Sequence, residues 1–307
     1  MKHEIVFKKH LTGALAFFLL VFNSCANASN EKEHPDANFS FGLIADCQYC
    51  NVVGEGQRKY SQSDQKLQSC VDQFNTMDLS WVIHLGDFID KDWESFDVVD
   101  PIYRQLTMPG HHVLGNHDFS VADSLKESVV KRMGLPSPYY HFESEGWRFV
   151  VLNGNDISFH AHPKESDQYK AAEEYYDENQ ITSPKWNGAI GPEQLVWMEE
   201  TFKSANERGE NVILFCHFPV FPENVHNLWN AGEVVSLIEQ YPNVKAYING
   251  HNHDGNYAQK NGVHYLTMKG MVDTEESSYG VMSVQEDRLI LTGTGREEDR
   301  VLEISGE

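Results

Sequence analysis

The stretch Leu114-Gly115-Asn116-His117-Asp118 closes a short apolar run that begins at His112 and predicts the end of a β-strand. The carbonyl oxygen of Asn116 is a hard ligand suited to a divalent metal ion, and His117 can transfer a proton near neutral pH. Taken alone, the stretch is more typical of a polar turn, because glycine, asparagine and aspartate all tolerate turn backbones. Its interpretation therefore depends on the residues that come directly after the other predicted strands.

Strand and helix patterns alternate from residue 39 onward and predict a mixed α/β domain whose strands are buried on both faces. The predicted strands cover residues 41–45, 81–85, 112–114, 149–152, 212–215 and 246–248. The predicted helices cover about 63–77, a segment from 123, and 192–205, where Pro192 takes the first helical position. Residues 264–269, 279–284 and 288–292 predict strands that close the fold as a hairpin or antiparallel edge.

Five of the predicted strands lead directly into side chains that can bind a metal ion. These are Asp46 and Gln48, Asp87, Asn116, His217, and His251 with His253. Ligands of α/β sheets bind outside the carboxyl ends of the strands, so the seven side chains are expected at one rim of the fold. Their repeated occurrence at strand ends favours a metal site over five unrelated polar turns.

The order of these motifs resembles that of the calcineurin-like metallophosphoesterases, which is D-x-H, GD-x-x-D, GNH-D/E, a lone His and GH-x-H. The resemblance covers about residues 40–257 and, through the closing strands, extends to 302. It implies a four-layer α/β/β/α sandwich with two divalent metal ions at the strand ends. It also implies an enzyme that hydrolyses phosphoric esters or anhydrides.

Gln48 departs from the family pattern, because most members have histidine there. This substitution, the stretches 44–49 and 114–119, and Asn187-Gly188 ahead of a helix with Gln194 and Trp197 are similar to a narrower branch. That branch is the manganese-dependent ADP-ribose/CDP-alcohol diphosphatases. The resemblance implies cleavage of the diphosphate linkage in nucleoside diphosphate-X substrates such as ADP-ribose or CDP-alcohols.

The resemblance also implies a role for each site residue. Asp87 would bridge both metals, and His117 would sit beside the phosphate as the catalytic residue. Asp46, Gln48 and His253 would complete one metal site, and Asn116, His217 and His251 the other. Bridging requires a carboxylate, which fits Asp87, and oxygen ligands such as Gln48 favour Mn²⁺ over Zn²⁺, with Mg²⁺, Fe and Zn²⁺ as alternatives. Asp90 is expected to orient a histidine.

The charge balance excludes some partners. The 307 residues include 46 Asp and Glu against 24 Lys and Arg, a formal net charge of -22. Such a chain has no basic surplus for nucleic acid or anionic lipid. The small phosphorylated substrate that the resemblance implies would therefore need local cations, most simply bound metal. No protein partner is inferred.

The first 28 residues predict an export signal, because three lysines precede an apolar run too short to span a bilayer. Two ends are compatible with it: an A-x-A site at Ala26-Asn27-Ala28, or a lipobox in which Cys25 becomes lipidated and forms the chain's sole membrane link. The protein is thus expected in the periplasm, secreted or lipid-anchored outside the cytoplasm. Residues 29–38 predict a polar linker, residues 39–303 the metallophosphoesterase domain, and about 158–187 a polar insertion.

Two alternative functions are compatible with the same motifs. The first is hydrolysis of phosphomonoesters or other phosphodiesters, and the second is a binding module with a silent site. Four further cysteines, at 47, 50, 70 and 216, are interpreted as small buried residues rather than a disulfide framework. His160 and His162 are interpreted as solvated residues of the insertion, while Tyr49 and Phe119 could stack on a base or pack under their loops.

Overall fold

The structure is a computed structural model that describes residue 1 and residues 38–304. All of the predicted signal except Met1, including Cys25, and all of the predicted linker except Asn38 lie outside the described residues. Among the helices of the described part, none has the length and apolar character needed to cross a bilayer.

The strands of the described part are numbered in chain order. They are β1 (Phe39–Ile44), β2 (Trp81–His84), β3 (Gly110–His112), β4 (Tyr140–Ser144), β5 (Trp147–Val151), β6 (Ile157–Ser158), β7 (Gly188–Ala189), β8 (Asn211–Phe215), β9 (Val244–Asn249), β10 (Asn256–Lys260), β11 (Val263–Thr267), β12 (Ser278–Val284), β13 (Arg288–Gly295) and β14 (Arg300–Glu303). The α-helices are α1 (Ser63–Phe74), α2 (Phe96–Tyr103), α3 (Val129–Arg132), α4 (Asp167–Glu178), α5 (Pro192–Glu207) and α6 (Ala231–Ile238).

Two six-stranded sheets contain most of these strands, in the orders β14-β13-β12-β1-β2-β3 and β10-β11-β9-β8-β5-β4. In the first sheet β1, β2 and β3 are parallel, and β12 to β14 extend it as an antiparallel edge. In the second sheet β5, β8, β9 and β11 are parallel, with β4 and β10 antiparallel at the margins. The antiparallel edge predicted for 279–284 and 288–292 is therefore confirmed as β12 and β13, whereas the strand predicted at 264–269 is β11, which joins the other sheet parallel to β9.

Three apolar layers show how the sheets and helices stack. Side chains alternate along a strand, so Phe41 of β1 faces the layer between the two sheets, whereas Ile44 faces α1 and α2. In β8, Phe215 faces the same inter-sheet layer and Leu214 faces α5 and α6. The result is the predicted four-layer α/β/β/α sandwich. Trp81 joins the two sheets, because its ring lies 4.1 Å from that of Phe41 and 4.6 Å from that of Phe149.

Some predicted boundaries needed correction. The third strand is Gly110–His112 rather than 112–114, because its ladder with β2 ends where His84 pairs with His112. The helix predicted from residue 123 begins as a 3₁₀ segment, Asp123–Ser128, and continues as the short α3. Helix α5 begins at Pro192 as predicted.

The predicted insertion contains helix α4, which no apolar pattern in the sequence indicates. The periodicity is absent because Ala172 is the one buried residue of this helix. The helix begins where the Ser166 side chain accepts a hydrogen bond from the amide of Tyr169. Strands β6 and β7 pair antiparallel, so the insertion leaves and rejoins the domain at one point.

The four cysteines of the described part are free and buried, as expected for small packing residues. Burial raises the pKa of the Cys50 thiol to about 11, so this side chain is a poor nucleophile.

Candidate metal centre

The strand ends bring the predicted ligands together around Asp87. His217 places Nε2 3.2 Å from Oδ2 of Asp87, and Gln48 donates from Nε2 to the same oxygen at 2.9 Å. His251 Nδ1 lies 3.1 Å from His217 Nε2. Ligand atoms of Asp87, His217 and His251 all lie within 4.8 Å of one another, which is a spacing that one metal ion can occupy.

Asp46 and His253 form a second group beside the first. His253 Nε2 lies 3.5 Å from Oδ1 of Asp46, and the same oxygen lies 4.0 Å from Nε2 of His217. Oδ2 of Asp87 contacts Gln48 of one predicted ligand set and His217 of the other. This arrangement is consistent with a bridging carboxylate that has one ligand set on each side.

Two amide oxygens test whether the site fits a metal. Gln48 is 1% exposed and Asn116 is 7% exposed, yet Oε1 of Gln48 and Oδ1 of Asn116 have no hydrogen-bond partner among the described residues. An unpaired buried oxygen costs about 1–3 kcal/mol. Both atoms are the ones predicted to bind metal, and coordination would satisfy them, so the donors present fit divalent ions.

Four of the seven predicted ligands have a left-handed backbone, which is uncommon for residues with a Cβ. The φ angles are 51° for Asp46, 45° for Gln48, 55° for Asp87 and 68° for His251. Each such residue costs about 1–3 kcal/mol and persists only where the surroundings enforce it. The concentration of these angles at one rim indicates loops shaped to aim side chains rather than to minimise backbone energy.

Glycines allow the loops to approach the carboxylates. A Cβ at Gly115 would collide with Oδ1 of Asp87, and a Cβ at Gly250 would lie 2.5 Å from Oδ2 of Asp46. Gly115 thus makes room for the central carboxylate. Asp118, three residues later, accepts hydrogen bonds from the amides of Gly115 and Phe88, both at 2.8 Å, and so ties two ligand loops together.

Two of the predicted ligand histidines are oriented through Nδ1. Nδ1 of His217 lies 2.9 Å from the carbonyl of Leu85, which can only accept a hydrogen bond. Nδ1 of His253 lies 3.0 Å from Oδ1 of Asp273. Such contacts fix the tautomer, leaving Nε2 of both rings free to bind metal.

His251 is oriented differently, because its Nε2 lies 3.0 Å from Oδ1 of Asn187 and its Nδ1 faces His217. Asn187 belongs to the Asn-Gly pair that resembles the diphosphatase branch. Neither Asn187 nor Asp273 was predicted to touch a ligand histidine, because each is far from its partner in the sequence.

The electrostatics of the centre favour bound cations. Burial alone would lower the pKa of His217, but the Asp87 carboxylate overrides it and raises the pKa to about 9. Burial would likewise lower the pKa of His253, yet Asp46 and Asp273 raise it to about 9. Protonated imidazoles beside these carboxylates indicate surplus negative charge that divalent ions would balance.

His117 lies beside the ligand groups but has a different partner. Its Nδ1 is 2.7 Å from Oδ1 of Asp90, so the predicted orienting role of Asp90 applies to His117. Its backbone amide donates to Oδ1 of Asp87 at 2.8 Å. Burial would lower the pKa of His117, but Asp87 and Asp90 raise it.

A cavity of about 530 Å³ opens over the centre. Its lining residues are Gln48, Arg58, Asp87, Asn116, His117, Ser120, Phe159, His160, Lys185, Trp186, His226, His251 and His253. The insertion thus covers the site, through both of its ends. Arg58 and Lys185 are the cations of this lining within the described residues, and no local sequence pattern indicates a site role for either.

The structure also shows where four residues outside the predicted ligand set lie. His160 is not a solvated loop residue, because it lines the cavity and its Nε2 lies 2.6 Å from Oδ1 of Asn155. Tyr49 and Phe119 are buried in the layer against α1 and α2, so they pack rather than stack on a ligand. His226 lines the cavity.

Comparison with known proteins connects this geometry to a family. The calcineurin-like phosphoesterase family model matches residues 39–255. A manganese-dependent ADP-ribose/CDP-alcohol diphosphatase of Xenopus tropicalis is 30% identical, with 88% of this chain and 96% of the relative covered. The protein of the same name from Oryza sativa subsp. japonica is 31% identical, with 85% and 92% covered.

A solved structure agrees with the sequence relatives. The crystal structure of a dimetal phosphatase from Danio rerio is 27% identical and has a TM-score of 0.79, and the match covers 88% of this chain and 100% of that one. The family match spans most of the domain and includes every strand end that carries a predicted ligand. The chain belongs to the calcineurin-like phosphoesterase family.

Proposed function

We propose that this protein is a dimetal phosphohydrolase that cleaves the diphosphate linkage of nucleoside diphosphate-X compounds such as ADP-ribose or CDP-alcohols. The observation that carries the proposal is Asp87, a buried carboxylate whose Oδ2 contacts a member of each predicted ligand set, Gln48 and His217. The names of the relatives from Xenopus tropicalis and Oryza sativa support the substrate class.

The proposed ligand sets are those that the family resemblance implies, and Asp87 contacts one member of each, Gln48 and His217. One site would use Asp46, Gln48 and His253 with Asp87, and the other would use Asn116, His217 and His251 with Asp87. When bound, two divalent ions would polarise the phosphoryl oxygens and lower the pKa of a water molecule. Oxygen donors predominate in the first set, which favours Mn²⁺ over Zn²⁺. The manganese-dependent relatives support that choice.

The second phosphate of a diphosphate substrate needs positive charge of its own. Arg58 and Lys185 lie in the cavity lining and come from different loops. The ammonium of Lys185 lies 4.5 Å from the ring centre of Phe159 and 5.1 Å from that of Tyr176, which supports it over the cavity. In a chain of net charge -22, two cations at this place support a substrate with more than one phosphate.

Aromatic side chains provide a surface for the remainder of the substrate. Trp186 is 39% exposed and its ring lies 5.1 Å from the rings of both His226 and His251. Phe159 forms another part of the wall. Nucleobases stack on such surfaces with about 1–3 kcal/mol per base, so the cavity suits a nucleoside.

His117 is the residue that can assist the leaving group. With Nδ1 held by Asp90, the ring can present Nε2 to the cavity that it lines. In the protonated form that ring can donate to the departing oxygen. This task matters most where the leaving group is a poor one.

A substrate panel tests the proposal. Purified protein is assayed with Mn²⁺ or Mg²⁺ against ADP-ribose, CDP-choline, FAD, UDP-sugars and p-nitrophenyl phosphate. We expect Mn²⁺-dependent release of nucleoside monophosphate from ADP-ribose or CDP-choline, abolished in Asp87→Asn. Preference for p-nitrophenyl phosphate would instead identify a phosphomonoesterase, and two bound metals without any hydrolysis would identify a binding module.

We also propose that the protein is exported. The signal pattern of residues 1–28 supports a position outside the cytoplasm, either as a soluble protein or with lipid on Cys25. Fractionation of cells that produce the wild type and Cys25→Ser distinguishes the two forms. Membrane association lost in Cys25→Ser identifies the lipid anchor, whereas cytoplasmic protein with an intact N-terminus contradicts export.

A further inference from the structure

Lys66 occupies an unusual position in helix α1. It is 7% exposed, and its ammonium nitrogen lies within hydrogen-bond distance of four consecutive backbone carbonyls. The distances from Nζ are 2.9 Å to Met271, 3.2 Å to Val272, 3.3 Å to Asp273 and 2.8 Å to Thr274. An ammonium has three hydrogens, so four converging carbonyls more than satisfy it.

The four carbonyls belong to a segment that supports one of the proposed metal sites. Asp273 holds Nδ1 of His253 at 3.0 Å. The amides of Met271 and Val272 donate to the carbonyls of Ala45 and Asp46, at 2.8 and 2.9 Å. Segment 271–274 therefore contacts the backbone of one ligand and the ring of another.

Converging carbonyl oxygens repel one another, and each buried one costs free energy unless a donor forms a hydrogen bond with it. All four hydrogen-bond acceptors of Lys66 are these carbonyls, and within the described residues it makes no ion pair. Its ammonium gathers the carbonyls at one point. Asp273 reaches His253 from this same segment.

We propose that Lys66 is a positioning residue for the metal site of Asp46, Gln48 and His253, acting through the carbonyls of segment 271–274. The inference rests on the proposed function, because it takes these residues as ligands. It assigns no such role toward the other site, whose histidines are oriented by Leu85 and Asn187. Loss of the ammonium should therefore weaken one metal site and spare the other.

The test is a calorimetric Mn²⁺ titration of full-length protein, with metal content measured after dialysis. Wild type is expected to bind two ions. In Lys66→Ala one site should weaken about 10- to 100-fold, the range found when a residue orienting a ligand is lost. The control is Lys126→Ala, because Lys126 is another buried lysine, bonded to the His162 carbonyl and Asp123 outside the centre. It should keep both sites.

Ammonium rescue separates positioning from general damage. Truncation of Lys66 leaves four carbonyls that an ammonium ion can occupy. Ammonium chloride should restore the weakened site of Lys66→Ala, whereas tetramethylammonium chloride at equal ionic strength, which cannot donate hydrogen bonds, should not. Lys66→Gln retains two donors and should show an intermediate loss.

Other outcomes overturn the inference. Two wild-type affinities in Lys66→Ala, or equal weakening of both sites, would show that the lysine does not act on one site. Unfolding of both Lys66 variants, judged by circular dichroism, would show that it supports the whole fold instead. Wild type that binds fewer than two ions would contradict the proposed function itself, which is a separate result.

Discussion

Nδ1 of His117 lies 2.7 Å from Oδ1 of Asp90, and Asp90 is almost completely buried. A carboxylate in this position accepts the Nδ1 proton and fixes both the tautomer and the direction of the ring. Asn116, the preceding residue, has its side-chain oxygen unpaired at the metal centre. These contacts support the proposal that adjacent residues of one loop have separate tasks, metal binding for Asn116 and proton donation for His117.

If His117 and Asn116 have separate tasks, replacing each should reduce kcat by different amounts on different substrates. A diphosphate releases a phosphate monoester, whose second pKa is about 6 and which needs little help from a proton donor. An alkyl ester releases an alkoxide, which needs much more. We expect His117→Ala to reduce kcat for an alkyl phosphate ester far more than kcat for ADP-ribose, while Asn116→Ala reduces both.

Asp90→Asn provides the matched comparison. It should affect the alkyl ester in the same direction as His117→Ala but less, because the ring is still present without its orienting charge. Steady-state kinetics on both substrates measures the difference. Equal losses for His117→Ala on the two substrates would contradict the division of tasks.

The position of Lys185 in the cavity lining predicts that its loss impairs hydrolysis of substrates with two phosphates more than of substrates with one. Hydrogen bonds to charged groups contribute about 1.5–3 kcal/mol, so Lys185→Met should lower kcat/KM for ADP-ribose about 10- to 100-fold. Bis(p-nitrophenyl) phosphate has one phosphate and should be hydrolysed as before. Lys164→Met is the control, because Lys164 is exposed in the same insertion and is not part of the cavity lining. A similar loss on both substrates would exclude recognition of the second phosphate.

The positions of the predicted metal ligands could be inferred from the sequence for a reason that does not apply to the residues that contact them. A ligand that directly follows a strand is placed by that strand, so Asp87 and His217 could be located from local patterns. Asp273 reaches His253 through a loop that follows another strand, and Lys185 reaches the cavity from the insertion. Such contacts depend on how distant segments meet, which no local pattern encodes.

Three helices, α2, α4 and α6, were not predicted from the sequence, each for a specific reason. Helix α2 contains Pro101, which normally ends a helix, and α4 has one buried residue and so lacks an apolar stripe. Helix α6 spans only eight residues, Ala231–Ile238, a length at which a buried helix and a buried strand look alike. Helix α5 was predictable because Pro192 marks its first position.

The side chain of Gln48 is expected to make the enzyme prefer Mn²⁺ over Zn²⁺. Its unpaired Oε1 supplies a neutral oxygen where most members of the family have an imidazole nitrogen. Gln48→His should therefore raise Zn²⁺-supported activity relative to Mn²⁺-supported activity, because nitrogen donors suit Zn²⁺ better. Gln48→Glu retains an oxygen donor and should keep the preference for Mn²⁺. Rates with each metal, measured on stripped protein, would refute the idea if the ratio were the same in Gln48→His and the wild type.

The raised pKa values of His217 and His253, about 9 for both, predict that metal binding releases protons. At pH 7 both rings are protonated beside their carboxylates, and each must lose a proton before Nε2 can coordinate an ion. Apparent Mn²⁺ affinity should therefore rise with pH toward 9 and fall as the solution becomes more acidic. Each released proton contributes up to about a tenfold change per pH unit.

Calorimetry in buffers of different ionisation enthalpy measures this release at one pH, and titrations between about pH 6.5 and 8, below the raised pKa, measure the slope. We expect about two protons released as both sites fill. His141→Gln is the control, because this exposed histidine of β4 packs against Trp197, away from the centre, and its loss should leave the count unchanged. Binding that released no protons would mean that carboxylates and amides, rather than His217 and His253, hold the ions.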